Sequence, residues 1–148
     1  MEIKSPVKGI VKTLKSVNDG VFSENMLGEG VAIEPKDNVI YAPIKGRLVT
    51  VFPTAHAYGI ESKDGTSVLI HIGVDTVNLK GEGFKSLVEQ GKKIKQGAPL
   101  AEVMFDDIKD KVPSIDVIMV VLNESKTKVA SKTEEGEVTL ESTLIVTN

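Results

Sequence analysis

The sequence predicts an all-β fold, an antiparallel β-sandwich or barrel-sandwich hybrid with one or two short helical turns. Three observations support this: β-branched runs are short, turn-forming residues separate them at fairly regular intervals, and helical periodicity is scarce. Such spacing is typical of sandwiches and barrels rather than of alternating β and α units. At 148 residues and 41% hydrophobic, the chain can bury an adequate core, so we expect one domain over residues 1–148.

The predicted strands are the short runs rich in valine, isoleucine, leucine and threonine. They are Ile10–Val11, Val31–Ile33, Val39–Tyr41, Leu48–Phe52, Ser67–Val74, Val117–Leu122 and Thr143–Val146. Turn signals fall between them, among them Asn18-Asp19-Gly20, Lys36-Asp37-Asn38 and Lys63-Asp64-Gly65. Two short helices are also predicted, Phe84–Gln90, which Gly91 would end, and Asp106–Lys111. The charged stretch Asn123–Glu137 is interpreted as surface loop and edge strand.

One motif occurs twice. Ser5-Pro6-Val7-Lys8-Gly9-Ile10-Val11 is repeated in altered form as Ala42-Pro43-Ile44-Lys45-Gly46-Arg47-Leu48. A solenoid needs at least three units, so one repetition does not predict one. We therefore expect two β units packed into one barrel-like body.

The composition excludes several classes of function. A net charge of −3 and a pI near 5.5 leave no basic excess for nucleic acid. The longest apolar run, around Ile118–Leu122, is far too short to span a membrane. The absence of cysteine excludes disulfides, thiolate nucleophiles and cysteine-ligated metals. Because the first residues lack the apolar core of a signal peptide, we expect a cytoplasmic protein.

The two histidines of the chain are the main candidates for chemistry. His71 lies in an apolar run, and His56 precedes it across a predicted hairpin. With Asp64-Gly65 as a two-residue turn, Tyr58 lies opposite His71, and His56 projects from the same face one diagonal step away. A turn centred one residue earlier places His56 directly opposite His71. A three-residue loop instead puts the two side chains on different faces.

A histidine pair on one face, with Thr54 beside it, suits some chemistries better than others. A metal site would want a third ligand, and no His-x-His or Glu-x-x-His arrangement supplies one nearby. A hydrolase would need a placed serine, which the sequence does not offer. Phosphoryl transfer needs only a neutral nucleophilic imidazole and a second donor for the phosphoryl oxygens. On the residues alone, two hydrogen-bonded core histidines are an equally good interpretation.

The residues around His71 resemble the signature of a known family. Leu69–Val77, continued by Lys80-Gly81-Glu82-Gly83-Phe84, is similar to the segment around the phosphorylated histidine of glucose-type IIA domains of the bacterial phosphoenolpyruvate-dependent sugar phosphotransferase system. The resemblance extends over nearly the whole chain in the family's order. It includes Ser5-Pro6-Val7-Lys8-Gly9, Gly30-Val31-Ala32-Ile33, Ala42-Pro43-Ile44-Lys45-Gly46, Thr54-Ala55-His56-Ala57 and Pro113-Ser114-Ile115. It implies a single glucose-type IIA domain over residues 1–148.

The resemblance implies a phosphocarrier, formally a phosphotransferase with a phosphohistidine intermediate. His71 would accept a phosphoryl group from the phosphocarrier protein HPr at Nε2 and pass it to the IIB unit of a sugar permease. His56 matches the second active-site histidine, which steadies the phosphoryl group, and Thr54 matches a hydroxyl that positions this histidine. The partner-facing residues that the resemblance implies are an acidic rim, Asp19 and Asp75, and an apolar collar, Val21, Phe22, Phe52 and Val77.

The resemblance implies no required cofactor. It allows zinc between His56 and His71 with a partner's carboxylate, and it allows regulatory partners. It places the protein in the cytoplasm, peripheral to the membrane through the permease and without direct membrane insertion. One departure is at Val117-Ile118, with Asp116 ahead of this pair, where the family usually carries Thr-Pro just before its late apolar strand.

Two alternatives belong to other classes. Val88–Val103 resembles the hairpin packing of lipoyl and biotinyl carrier domains, although neither Met-Lys-Met nor Asp-Lys-Ala is present for their modified lysine. The second alternative is a purely regulatory binding domain whose histidines are vestigial.

Overall fold

Strands make up most of the regular structure. The computed structural model describes residues 1–17, 19–20, 22 and 24–148. The strands in these ranges are β1 (Glu2–Lys4), β2 (Gly9–Thr13), β3 (Gly28–Pro35), β4 (Val39–Tyr41), β5 (Gly46–Val51), β6 (Ala57–Glu61), β7 (Ser67–Val74), β8 (Phe84–Ser86), β9 (Lys93–Ile94), β10 (Pro99–Val103), β11 (Ser114–Leu122), β12 (Val129–Lys132), β13 (Glu137–Val138) and β14 (Thr143–Thr147). The helices in the same ranges are α1 (Phe105–Ile108) and two 3-10 helices, Leu14–Val17 and Thr76–Leu79.

The strands form one large sheet and two small ones, and every pairing is antiparallel. The large sheet has eight strands in the order β13-β2-β3-β11-β7-β6-β5-β9. The small sheets have the orders β1-β14-β12 and β4-β10-β8. This arrangement is the antiparallel β-sandwich that the short, turn-bounded runs predict.

The repeated motif forms a pair of segments that hydrogen-bond to each other. The N–H of Lys4 donates to the Pro43 carbonyl at 3.1 Å, and the N–H of Tyr41 donates to the Pro6 carbonyl at 2.7 Å. The two donor residues are one repeat length apart in the sequence, and so are the two acceptor residues. The two hydrogen bonds therefore occupy equivalent positions in the two copies of the motif. A strand pair continues each copy, β2 with β13 and β5 with β9. The sequence repeat is therefore a structural one.

The central strands β7 and β11 bury both of their faces. Alternate residues of β7, Val68, Ile70 and Ile72, belong to the main hydrophobic core. Leu69, on the other face, packs against a smaller cluster that includes Phe22. Because strand residues alternate between faces, His71 lies on the face of this smaller cluster.

All seven predicted strands are confirmed, except that Phe52 falls just beyond the end of β5. The predicted helix over Phe84–Gln90 is wrong. Its first three residues form β8, with Phe84 opposite Val103 and Ser86 opposite Ala101. Pairing with β10 satisfies the backbone there, and the Ser86 hydroxyl then donates to the Val88 carbonyl in a turn.

The helix predicted over Asp106–Lys111 is confirmed in part, since α1 covers Phe105–Ile108 and turns follow it. The interpretation of Asn123–Glu137 as loop and edge strand is confirmed. β12 lies at the edge of a three-stranded sheet, and turns and loops make up most of the remaining residues of this stretch.

The β6–β7 hairpin differs from the prediction in its register. Its loop has three residues, Lys63-Asp64-Gly65, closed by the Ser62 N–H on the Thr66 carbonyl at 2.9 Å. Gly65 has φ +88° and donates to the Ser62 carbonyl, so a turn is followed by one left-handed residue. As a result, Ala57 lies opposite His71, and the predicted pairing of Tyr58 with His71 is wrong.

Candidate active site

His71 is held in one tautomer by its own strand. Its Nδ1 lies 2.8 Å from the carbonyl oxygen of Gly73. A carbonyl oxygen can only accept, so Nδ1 carries the proton and donates it. In the neutral ring the lone pair is therefore on Nε2, which makes Nε2 the nucleophilic atom.

The Gly73 carbonyl reaches His71 because the backbone leaves the strand conformation at Gly73. Gly73 has φ +77°, in the left-handed region that favours glycine. Any Cβ at this position would lie 2.5 Å from Cγ2 of Thr76 and 3.0 Å from the carbonyl oxygen of Ser114. The local geometry of His71 therefore depends on a glycine two residues after it.

His56 is positioned by the β5–β6 hairpin. The Ala55 N–H donates to the Phe52 carbonyl at 2.8 Å, and Pro53 follows Phe52 in this turn, where its fixed φ is favourable. Ala55 has φ +61° and directly precedes His56. The His56 side chain is only 2% exposed, and its Nδ1 lies 2.5 Å from Oγ1 of Thr54.

The two histidine rings are in contact despite the register of their strands. Their centroids are 5.0 Å apart, with an interplanar angle of 81°. With Ala57 opposite His71, a regular pleat would place His56 on the other face. His56 precedes β6 and follows a left-handed residue, Ala55, so its side chain does not follow the alternation. The predicted convergence is thus found, but the turn at Ala55 produces it rather than the predicted register.

Four aromatic rings follow one another through the site. The ring of Phe22 lies 5.1 Å from that of His71, and the ring of Phe52 lies 5.2 Å from that of His56. Phe22 is 8% exposed, whereas Phe52 is 41% exposed. The histidines therefore lie between a buried and an exposed apolar ring, which limits the access of water to both.

Burial favours the neutral form of both histidines. Desolvation and the neighbouring His71 lower the pKa of His56 to about 4. Desolvation also lowers the pKa of His71, against the opposing effects of the Gly73 carbonyl, Asp19 and Asp75. At neutral pH both imidazoles are neutral, as a nitrogen nucleophile requires.

A cleft of about 470 Å³ opens at His71. It is lined by Val17, Asp19, Phe22, His71, Val74, Asp75, Val77, Pro113 and Ser114. Four of the predicted partner-facing residues are among these, Asp19, Asp75, Phe22 and Val77, the last of which is 50% exposed. Phe52 lies beside His56, and Val21 lies outside the described residues.

Metal ligands are few at the site. Within residues 1–17, 19–20, 22 and 24–148, no three histidine, aspartate or glutamate side chains are grouped so as to hold an ion. The two imidazoles supply two donors, and a tetrahedral zinc site needs four ligands. A zinc ion between His56 and His71 would thus need ligands from a partner.

The sequence interpretation missed several residues that shape the site. Gly73 supplies the acceptor for His71, and Ala55 supplies the left-handed turn before His56. A glycine inside a strand pattern is a known signal of close backbone approach, so Gly73 could have been found from the sequence. No comparable signal marks Ala55, because alanine seldom adopts a positive φ.

Asp116, in the first part of β11, is buried and paired. Its carboxylate lies 2.8 Å from the Lys12 ammonium, and its N–H donates to the Ser114 hydroxyl at 3.0 Å. β11 has an irregularity between Ser114 and Val117 at this point. An ion pair and a strand irregularity therefore occur together in the first part of β11.

A small antiparallel β-sandwich with two neutral histidines in contact at an apolar, acid-rimmed cleft defines a class of domain suited to chemistry at an imidazole nitrogen. Residues 1–127 match the family model described as phosphoenolpyruvate-dependent sugar phosphotransferase system, EIIA 1. The chain belongs to this family.

Individual relatives agree with the family assignment. The chain is 46% identical over 123 residues to the PTS system glucose-specific EIIA component of Mycoplasma capricolum, covering 83% of this chain and 80% of the relative. It is 39% identical over 143 residues to the glucose-specific EIIA component of Halalkalibacterium halodurans, covering 93% and 83%. It is 46% identical over 120 residues to the beta-glucoside-specific EIIBCA component of Bacillus subtilis, covering 81% of this chain and 19% of that longer protein.

A solved structure supports the fold. The glucose permease IIA of Mycoplasma capricolum superposes with a TM-score of 0.92 at 41% identity, covering 98% of this chain and 94% of that one. In the part of the chain that is described, no helix has the length and apolar character needed to cross a membrane.

Proposed function

We propose that this chain is a phosphocarrier of the sugar phosphotransferase system that carries the phosphoryl group on Nε2 of His71. The observation that supports this most directly is the hydrogen bond from His71 Nδ1 to the Gly73 carbonyl, which leaves the lone pair on Nε2. In the transfer, the Nε2 lone pair forms a bond to phosphorus while the bond between phosphorus and the donor breaks. The imidazole becomes cationic, and the Gly73 carbonyl together with Asp19 and Asp75 stabilises that charge.

His56 acts as the second group of the site. Its ring lies 5.0 Å from that of His71, near enough to contact a phosphoryl group on Nε2. The Thr54 hydroxyl can donate to Nδ1 of His56, and in that arrangement Nε2 of His56 carries the proton and can donate to a phosphoryl oxygen. A hydroxyl can donate or accept, unlike the Gly73 carbonyl, so the contact with Thr54 positions the His56 ring and is compatible with this tautomer.

The donor is HPr, and the acceptor is the IIB unit of a sugar permease. The fused EIIBCA relative, in which an EIIA region belongs to the same chain as the B and C regions, supports the IIB partner. The acidic residues Asp19 and Asp75 at the cleft suit a basic partner surface and promote encounter more than affinity. We place the protein in the cytoplasm, at the membrane only through the permease.

A phosphorylation assay tests the proposal. The protein is incubated with HPr, its upstream enzyme and phosphoenolpyruvate, and the phosphate is identified by mass spectrometry as acid-labile and base-stable. The wild type should carry one phosphate on His71, and His71→Ala should carry none. The matched variant His56→Ala should still be phosphorylated, at a reduced rate. Stoichiometric phosphate on His71→Ala would refute the assignment, and a modified lysine would favour the lipoyl-type alternative.

A further inference from the structure

Thr76 is buried against the turn that follows His71 and contacts both Ile72 and Gly73. It is 1% exposed and is the first residue of the 3-10 helix Thr76–Leu79. Its hydroxyl donates to the carbonyl of Ile72 at 2.6 Å. This bond spans the turn in which Gly73 and Asp75 both have positive φ.

Thr76 touches the turn in two places. Its hydroxyl donates to the Ile72 carbonyl. Its Cγ2 lies 2.5 Å from the position that a Cβ on Gly73 would occupy. Gly73 is thus enclosed between the Thr76 methyl and the Ser114 backbone. The left-handed conformation of Gly73, which aims its carbonyl at His71, is therefore fixed from one side by Thr76.

The same peptide segment connects the two histidines. The N–H of Ile72 donates to the His56 carbonyl at 2.7 Å, and its carbonyl accepts from Thr76. Ile72 follows His71 in the chain, so both of its backbone polar groups are bonded within the site. A loss of the Thr76 hydroxyl would leave the Ile72 carbonyl without this donor and would loosen the turn.

We propose that Thr76 is a positioning residue that fixes the tautomer of His71 by holding the Ile72–Gly73 turn. This inference rests on the proposed function for its consequence, because the Nδ1–H tautomer matters for a phosphoryl group on Nε2. The tautomer itself is a property of the unphosphorylated protein and can be measured without any partner. Failure of the proposed function and failure of this inference are therefore separable.

The test is nuclear magnetic resonance of the imidazole nitrogens in protein labelled with ¹⁵N at histidine, at neutral pH. The wild type should show His71 protonated at Nδ1. Thr76→Val keeps the shape of the side chain but removes the donor, and should shift the tautomer ratio toward Nε2–H by about fivefold, the contribution of one ordinary hydrogen bond. Thr76→Ser keeps the hydroxyl and should restore most of the wild-type ratio.

Thr66→Val is the matched control. Thr66 is also a fully buried threonine with a short hydroxyl bond, 2.6 Å to Thr127, but it lies before the other end of β7. It should lose similar stability and leave the His71 tautomer unchanged. If Thr76→Val does not fold, Thr76→Ala is compared with Thr76→Ser, because both lack the Cγ2 methyl and differ in the hydroxyl.

The outcomes separate the ideas. A shift in Thr76→Val alone, rescued in Thr76→Ser, supports the inference. An unchanged tautomer in Thr76→Val, or an equal shift in Thr66→Val, overturns it. If the tautomer shifts as expected but the wild type takes no phosphate from HPr, the positioning role stands and the proposed function fails.

Discussion

The carbonyl of Gly73 fixes which nitrogen of His71 carries the proton. A neutral imidazole has one protonated and one free nitrogen, and the hydrogen bond at 2.8 Å assigns the proton to Nδ1. Burial keeps the ring neutral by lowering its pKa, while Asp19 and Asp75 oppose that effect and favour positive charge on the ring. The site thus combines a ring that is neutral at rest with surroundings that favour positive charge on it, as the proposed transfer requires.

The division of labour between the histidines can be tested with His56→Gln. Glutamine keeps a hydrogen-bond donor but cannot become cationic, and it leaves His71 intact. We expect phosphate still to be accepted on His71, with onward transfer to the IIB unit slowed on the order of a hundredfold, as for loss of one preorganised donor. Single-turnover rates for the two steps measure this. Wild-type rates in both would make His56 a core histidine with no part in transfer.

Strand β7 carries His71, and turns and 3-10 helices carry most of the other candidate site residues. The β5–β6 turn carries Phe52 and His56, and the 3-10 helix after β7 carries Val77. The first 3-10 helix, Leu14–Val17, contributes Val17 to the cleft. The two 3-10 helices contribute to the cleft at His71, and the β5–β6 turn adjoins it through the ring contact of His56 with His71, so together they offer a surface on which a partner would dock.

Charge placed on this surface should weaken docking without unfolding the domain. Val77 and Phe52 are 50% and 41% exposed, so Val77→Glu and Phe52→Glu add little strain to the free protein. Desolvating the new carboxylate on association should weaken HPr binding roughly tenfold or more. Titration calorimetry measures the affinity. Leu87→Glu is the control, since Leu87 is exposed but neither lines the cleft, as Val77 does, nor packs on the ring of His56, as Phe52 does, and it should bind as the wild type does. Unchanged affinity in both collar variants would exclude this docking face.

At the scale of the whole molecule, two features matter: the repeated motif, and the two hydrophobic clusters on the two faces of β7. The reciprocal bonds of Lys4 with Pro43 and of Tyr41 with Pro6 relate the two copies of the repeated motif. His71 lies on the β7 face that the smaller hydrophobic cluster covers, away from the main core. A site on that face can change charge without disturbing the larger core.

The buried histidines make the stability of the whole domain depend on pH. The pKa of His56 is about 4 in the folded protein and near 6.5 when unfolded, so between these values the unfolded chain binds the extra proton. Stability is therefore retained above pH 6.5 and falls as the pH drops toward 4. From pH 7 to 4.5 the contribution of His56 to this loss is about 2 kcal/mol.

Urea unfolding at several pH values measures this dependence. His56→Gln should show a shallower loss of unfolding free energy than the wild type over the same range, because its side chain does not titrate. Because the wild type and His56→Gln have the same carboxylates, the difference between their unfolding free energies excludes the pH dependence that carboxylates cause. Parallel curves for the two proteins would contradict a buried, neutral His56.

Local patterns predicted much of the architecture, and they failed where tertiary contacts outweighed local preference. The β-branched run of β7 indicates a strand, and the residues around Asp64 indicate a turn. Phe84–Gln90 has a helix-compatible composition, but pairing with β10 makes its first part a strand. Short segments carry too little intrinsic preference to resist such pairing.

The sequence by itself determined that this is a β protein, that His56 and His71 are its candidate chemical groups, and which family it resembles. Only the tertiary structure decided how the two histidines meet. Their contact depends on a three-residue loop at Gly65 and a left-handed Ala55, whose effects on side-chain direction oppose each other. Shifting the register by a single residue moves every strand side chain to the opposite face of the sheet. The register is selected by packing in the folded sheet, so it could not be read from the sequence.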